Sequence, residues 1–132
     1  MSKKVLIIST SLRKGGNSDI LADQFMKGAQ DSGNQVEKIS LINMQIGFCK
    51  GCLVCQKTQE CTIKDDAVEI AEKVKNADIV VFATPIYYYE MSGQIKTLLD
   101  RCNPVFSSNY SFQDIYLIAA AGDIIRKPWM QQ

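Results

Sequence analysis

The feature that most constrains this chain is an aliphatic run near its start, Val5-Leu6-Ile7-Ile8, which stops abruptly in Ser9-Thr10-Ser11-Leu12-Arg13-Lys14-Gly15-Gly16-Asn17-Ser18. No polar residue interrupts the run, so it predicts a central strand buried on both faces rather than a strand with one wet side. Hydroxyls, two basic side chains and a Gly-Gly pair then read as a loop entering a helix, with Asn17 or Ser18 available to cap it. Two readings of the loop stand. It is either a solvated strand-to-helix turn or an anion site. In the second case free helix N–H groups, hydroxyl donors and Arg13 together favour a phosphate.

A strand buried on both faces requires helices on both sides of a sheet, and the chain supplies the alternation. Leu21, Phe25, Gly28 and Ala29 fall at helical spacing between Asp19 and Ser32, with Gly33 placed to end the helix. Residues 36–41 alternate weakly, as a short edge strand does. Asp66 and Glu69 resemble a capping pair ahead of an apolar stripe, Ala67, Ile70, Ala71 and Val74, that runs to Asn76. Residues 78–84 read as a second doubly buried strand closed by Pro85. A helix from Ser92 carries Ile95, Leu98, Leu99 and Cys102 on one face until Asn103-Pro104 stops it. A third buried strand follows over 115–121, closed by Gly122. Strand and helix in alternation give a parallel sheet with right-handed crossovers, and the loop lengths fit the flavodoxin-like order, with a ligand at the switch between the first and third strands.

Composition narrows the chemistry. With 132 residues the chain makes one domain with a real core, placed at residues 1–123, followed by a divergent tail at 124–132. A net charge of +1 with scattered lysines argues against nucleic acid or an anionic membrane surface as partner. The absence of an apolar span or a leader pattern leads to the expectation of a cytoplasmic protein. There is no histidine, which removes Ser-His-Asp and Cys-His catalysis and His-ligated zinc. Chemistry is left to thiols, carboxylates, tyrosines or a bound cofactor.

After the second buried strand comes Thr84-Pro85-Ile86-Tyr87-Tyr88-Tyr89-Glu90-Met91. No helix or strand period buries three consecutive tyrosines, so at least one is free to cover a flat ligand or a partner, unless the loop folds onto its own domain. A phosphate loop beside an aromatic loop describes a nucleotide or a flavin.

These residues carry a family resemblance. The loop 11–18, the stretch Thr84 to Lys96 with Asp100-Arg101 after it, and a cysteine loop ending in Asp65-Asp66 resemble the NAD(P)H-dependent FMN reductase and iron-sulfur flavoprotein group over residues 3 to about 123. The resemblance implies that Ser11, Arg13, Asn17 and Ser18 hold the FMN phosphate. It implies that Pro85, Ile86, Tyr87 and Tyr88 line the isoalloxazine, and that Ala121 and Gly122 close its far edge. It also implies an oxidoreductase passing electrons from NAD(P)H through FMN to a small-molecule or protein acceptor, as a homodimer or homotetramer. An electron carrier with little NAD(P)H turnover and a non-enzymatic dimerising remnant are the rival readings.

Cys49, Cys52, Cys55 and Cys61 follow a Cys-x2-Cys-x2-Cys-x5-Cys spacing. Structural disulfides are not expected of reduced intracellular thiols. The spacing suits a [4Fe-4S] cluster, a tetrahedral zinc site or a set of redox-active thiols. Iron-sulfur flavoproteins carry this pattern, which favours the cluster. Cys102 reads as a buried small hydrophobe.

Members of the family continue with a further strand and a closing helix, whereas this sequence runs from Asp123 into Ile124-Ile125-Arg126-Lys127-Pro128-Trp129 and three more residues. The expectation is therefore a sheet of order 2-1-3-4 without its fifth strand and last helix. The strand at 115–121 would then be an edge, and it or the Trp129 tail would dock on a second copy.

Overall fold

The computed structural model describes residues 2–122; the proposed docking role of the Trp129 tail, and residues 124–132 as a whole, lie outside the described residues. The sheet forms from β1 (Lys4–Ser9), β2 (Gln35–Ser40), β3 (Ile79–Tyr87) and β5 (Asp114–Ala121), all parallel, with a two-residue strand β4 (Glu90–Met91) folded back antiparallel on the end of β3. The parallel order is β2-β1-β3-β5, the expected topology, with β4 an addition that sequence alone did not indicate.

The aliphatic run explains the layering. Val5 and Ile7 face α1 (Asn17–Asp31), packing with Ala22, Val81 and Ala83. Leu6 and Ile8 face the other side, packing with Ala67, Ile70 and Val74 of α3 (Asp66–Asn76) and with Ile95 and Leu98 of α4 (Gly93–Arg101). Period-two alternation thus feeds two apolar cores from one strand, and both isoleucines are fully buried. Burying each contributes about 1.5–3 kcal/mol.

Several local expectations are corrected. Neither Asn17 nor Ser18 caps α1; Gly16 takes the cap position and offers no side chain, which leaves Ser18 inside the first turn. The cap of α3 is Asp65, accepting from the Ala67 N–H, while Asp66 turns outward to the Gln45 N–H at 2.7 Å. Pro85 does not end β3. The ladder to β1 stops at Ala83, and the strand continues along β5 with Pro85 opposite Ala120. A missing donor is tolerated where one flank has no ladder. Asn103-Pro104 ends one helix but also begins another, the short α5 (Asn103–Phe106), since proline suits a first helical turn. The cysteine loop likewise holds a four-residue helix, α2 (Cys55–Thr58).

Unlike the buried strand expected at 115–121, β5 is open over much of its length. In β5 Ile115, Tyr116 and Leu117 are exposed, Leu117 by 65%, because β3 covers one edge only and the described helices leave much of its surface open. No helix among the described residues is long and apolar enough to cross a membrane.

Candidate functional site

Parallel register brings the predicted ligand residues to one edge of the sheet. Ser9 at the end of β1 lies opposite Ala83, and Thr10 donates both its N–H and its hydroxyl to the Ala83 carbonyl at 2.9 Å. Ile86 lies opposite Ala121. The loop after β1, the hairpin after β3 and the end of β5 therefore share the carboxyl edge of the strands, where open α/β sheets bind ligands.

The first loop is tightly wound. The Ser11 hydroxyl is buried and folded back, accepting the Arg13 N–H at 3.1 Å and donating to the Arg13 carbonyl at 3.2 Å. Gly15 sits at φ +73°, a left-handed conformation that glycine adopts without strain. A Cβ on Gly16 would stand 3.3 Å from the Arg13 carbonyl, tighter than side chains normally pack. Arg13 and Asn17 are exposed, whereas Ser18 is 2% exposed and its Oγ has no hydrogen-bond partner. A buried hydroxyl without a partner is costly, and here it lies in the first turn of an uncapped helix, whose N–H groups are free for an outside acceptor. These features fit an anion with several oxygens.

Asp19 fixes the loop, a role that sequence reading missed. Its carboxylate accepts from Ser9 Oγ at 2.7 Å and the Gly15 N–H at 3.2 Å, and pairs with Lys38 of β2 at 2.7 Å. Burial works to raise its pKa, but the hydrogen bonds from Lys38, Ser9 and Gly15 outweigh burial and hold the carboxyl below its ordinary value. Lys38 also reaches Asp23, so the acidic group beside the loop is neutralised. A lysine amid the weak alternation of residues 36–41 was the one available signal.

The tyrosine segment forms a hairpin. Ile86 pairs with Met91 and Tyr87 with Glu90, leaving Tyr88 and Tyr89 as its two central residues at φ +45° and +67°. Such left-handed pairs usually fall to Asn-Gly, so two tyrosines there are strained. Tyr88 is 94% exposed and its ring meets Tyr89 edge-on at 5.6 Å. Pro85 and Ile86 are half-buried, while Tyr87, Ala121 and Gly122 are exposed.

The predicted thiol ligands also converge. Cys49, Cys52, Cys55 and Cys61 line one cavity of about 30 Å³, together with Thr62 and Asn103. All are free thiols, and each sulfur has a polar neighbour. Gly51 N–H approaches Cys49 at 3.4 Å, Ile63 N–H approaches Cys61 at 3.4 Å, Asn103 Nδ2 donates to Cys55 at 3.1 Å, and the Thr62 hydroxyl lies 3.8 Å from Cys52. Hydrogen bonds from the Val54 N–H and from Thr62 hold the exposed Cys52 thiol below its ordinary value. Among the described residues no three of Cys, Asp and Glu are grouped around a single metal ion. Four cysteines lining one cavity, each sulfur beside a polar neighbour, form a donor set whose chemistry suits iron or zinc. Cys102 stands apart, its thiol pushed up to about 11 by burial, as a packing residue should be. A larger cavity, about 630 Å³ between α3 and α5, touches Cys61 and Arg101 but none of the predicted flavin residues.

Residues 3–124 match the NADPH-dependent FMN reductase family. The chain belongs to that family. Among curated relatives, an iron-sulfur flavoprotein of Archaeoglobus fulgidus is 37% identical over 101 residues, 76% of this chain and 46% of its own length. An iron-sulfur flavoprotein of Methanosarcina thermophila is 31% identical over 111 residues, 84% of this chain and 58% of its own. The chain thus spans about half the length of the curated relatives it matches. The solved NAD(P)H:quinone oxidoreductase of Methanothermobacter marburgensis superposes with a TM-score of 0.74 at 18% identity, covering 92% of this chain and 68% of that one, which shows that the FMN reductase fold is shared.

Proposed function

We propose that this protein binds FMN non-covalently at the carboxyl edge of its sheet and passes electrons from NAD(P)H to a small-molecule or protein acceptor. The observation that carries the proposal is the partnerless, buried Ser18 Oγ at the uncapped start of α1. FMN, when bound, supplies the hydride and single-electron chemistry. The chain's own residues bind and orient. Ser18, Asn17 and Arg13 offer donors to the phosphate, and Ser11 shapes the loop through its bonds to Arg13. Pro85, Ile86, Tyr87 and Tyr88 offer backbone and rings to one part of the isoalloxazine, and Ala121 and Gly122 border the other. None of these residues needs to act as acid or base.

A second reading is favoured by the thiol cavity: an electron carrier with a [4Fe-4S] cluster on Cys49, Cys52, Cys55 and Cys61 and little NAD(P)H turnover. The names of the iron-sulfur flavoproteins support the cluster, as do the four polar neighbours of the sulfurs. The exposed apolar residues of β5 support a homodimer or homotetramer.

The test is the visible spectrum of anaerobically prepared protein with iron, sulfide and FMN counts, followed by NADPH oxidation with a quinone. A flavin spectrum with turnover supports the reductase. Flavin plus four irons with negligible NADPH oxidation supports the carrier. Protein without FMN, and unable to take it up, refutes both.

A further inference from the structure

The cysteine loop is held by the end of α4 and the start of α5. Arg101 donates to the Gly47 carbonyl at 3.0 Å and to the Ile63 carbonyl at 2.8 Å. Those two carbonyls flank the four thiols, so one buried guanidinium ties both ends of the loop. Two residues on, where α4 gives way to α5, Asn103 lines the thiol cavity, and its Nδ2 lies 3.1 Å from Cys55 Sγ. The same helix pair grips Cys55 again, because Ser107 Oγ donates to the Cys55 carbonyl at 3.4 Å.

We propose that Asn103 is a positioning residue for an iron-sulfur centre on these thiols, with its amide N–H holding Cys55 Sγ in place and raising the centre's reduction potential. The inference rests on reading Cys49, Cys52, Cys55 and Cys61 as cluster ligands. Its physical basis is simple. Reduction adds one negative charge to a cluster that already shares charge with its sulfurs. An N–H pointed at one of them stabilises the reduced form more than the oxidised form. Gly51 and Ile63 reach Cys49 and Cys61 through backbone N–H groups two residues along the chain, which follow from local winding. Asn103 is different: it is a side chain brought from 48 residues away. The break between α4 and α5 is what sets it there, one residue after Cys102 and one before Pro104.

The experiment uses the full chain, reconstituted anaerobically with iron and sulfide, as wild type, Asn103→Ala, Asn103→Ser and Asn103→Asp. Iron and sulfide are counted, and midpoint potentials are read by EPR during dithionite titration. Wild type is expected to hold four irons and four sulfides. Asn103→Ala is expected to shift the one-electron equilibrium about tenfold toward the oxidised form, roughly 59 mV more negative. The near-isosteric Asn103→Asp, lacking the donor and adding charge, should fall further. Asn103→Ser, which keeps an O–H donor, should lie between Ala and wild type. If Ala and Asp fail to load iron while Ser loads it, the need for a donor is also supported. Full iron content with wild-type potentials in Ala and Asp overturns the role of Asn103 alone, as does equal failure of all three variants to load. A wild-type chain that takes up no iron or sulfide overturns the cluster reading, and this inference with it.

Discussion

Asp65 and Arg101, 36 residues apart in sequence, meet as a two-pronged ion pair, with Nη1 to Oδ2 at 2.8 Å and Nη2 to Oδ1 at 2.9 Å. The same carboxylate accepts the Gly47 N–H at 2.7 Å and caps α3 through the Ala67 N–H at 3.1 Å. A single buried contact thus joins the end of α4, the start of α3 and both flanks of the thiol loop. Removing one partner strands a charge in a site where the Arg101 side chain is 1% and the Asp65 side chain 14% exposed. Arg101→Ala is therefore expected to cost about 3–5 kcal/mol in urea unfolding. A loss below 1 kcal/mol would show that the pair does not hold the loop.

The same pair predicts acid sensitivity. Burial pushes the Asp65 carboxyl up, but Arg101, Gly47 and Ala67 outweigh it, so the folded-state pKa lies below the ordinary 3.8. Asp19 is depressed likewise. For carboxyls shifted in this direction, stabilisation is fully present above the ordinary value and is lost as pH falls through the folded value. Unfolding free energy should be steady from pH 7 to about 5 and then decline below about 4. Asp65→Asn should start lower and decline less, and equal slopes for the two proteins would count against the assignment.

Asp19 predicts a coupling between loop order and ligand binding. Asp19→Ala removes the acceptor for Ser9 and Gly15 and leaves Lys38 paired only with Asp23. Stability should fall by about 1–3 kcal/mol. FMN affinity, followed by flavin fluorescence, should fall with it although Asp19 offers the phosphate no donor. Full affinity in this variant would separate the loop's winding from its function.

The Tyr88-Tyr89 corner should trade stability for binding. Replacing it by Asn-Gly, which accepts positive φ at both positions, is expected to raise stability by about 1 kcal/mol while weakening FMN binding. Thermal melts and flavin titration read the two effects separately. A variant stabilised with affinity intact would show that the tyrosines serve something other than the ring.

What was legible in the sequence was mostly apolar pattern. Val5 to Ile8 and residues 78–84 announced central strands because burial on both faces leaves little room for polar residues; the alternation with helices gave a parallel sheet, and the loop lengths gave its order. The loop at 11–18 and the four loop cysteines stand out as candidates for chemistry because a glycine pair and a cysteine spacing are local signals. Contacts set by the tertiary fold were not. Asp19 with Lys38, Asp65 with Arg101 and Asn103 with Cys55 are polar partners brought together from distant segments. The β3–β4 hairpin was missed because Tyr88-Tyr89 lacks the Asn-Gly signature of its turn. The openness of β5 was hidden too, since an apolar run reads the same whether or not another element covers it.

The most direct measurement of the central claim is FMN binding to the metal-free chain, comparing wild type with Ser18→Ala and Arg13→Ala by flavin fluorescence. Ser18→Ala removes a buried hydroxyl that has no partner without ligand, so the free protein should be as stable as wild type or slightly more so. The account predicts that both variants nevertheless bind FMN about 1–3 kcal/mol more weakly. Wild-type affinity in both variants, or a wild-type chain that leaves flavin fluorescence unquenched, would contradict it.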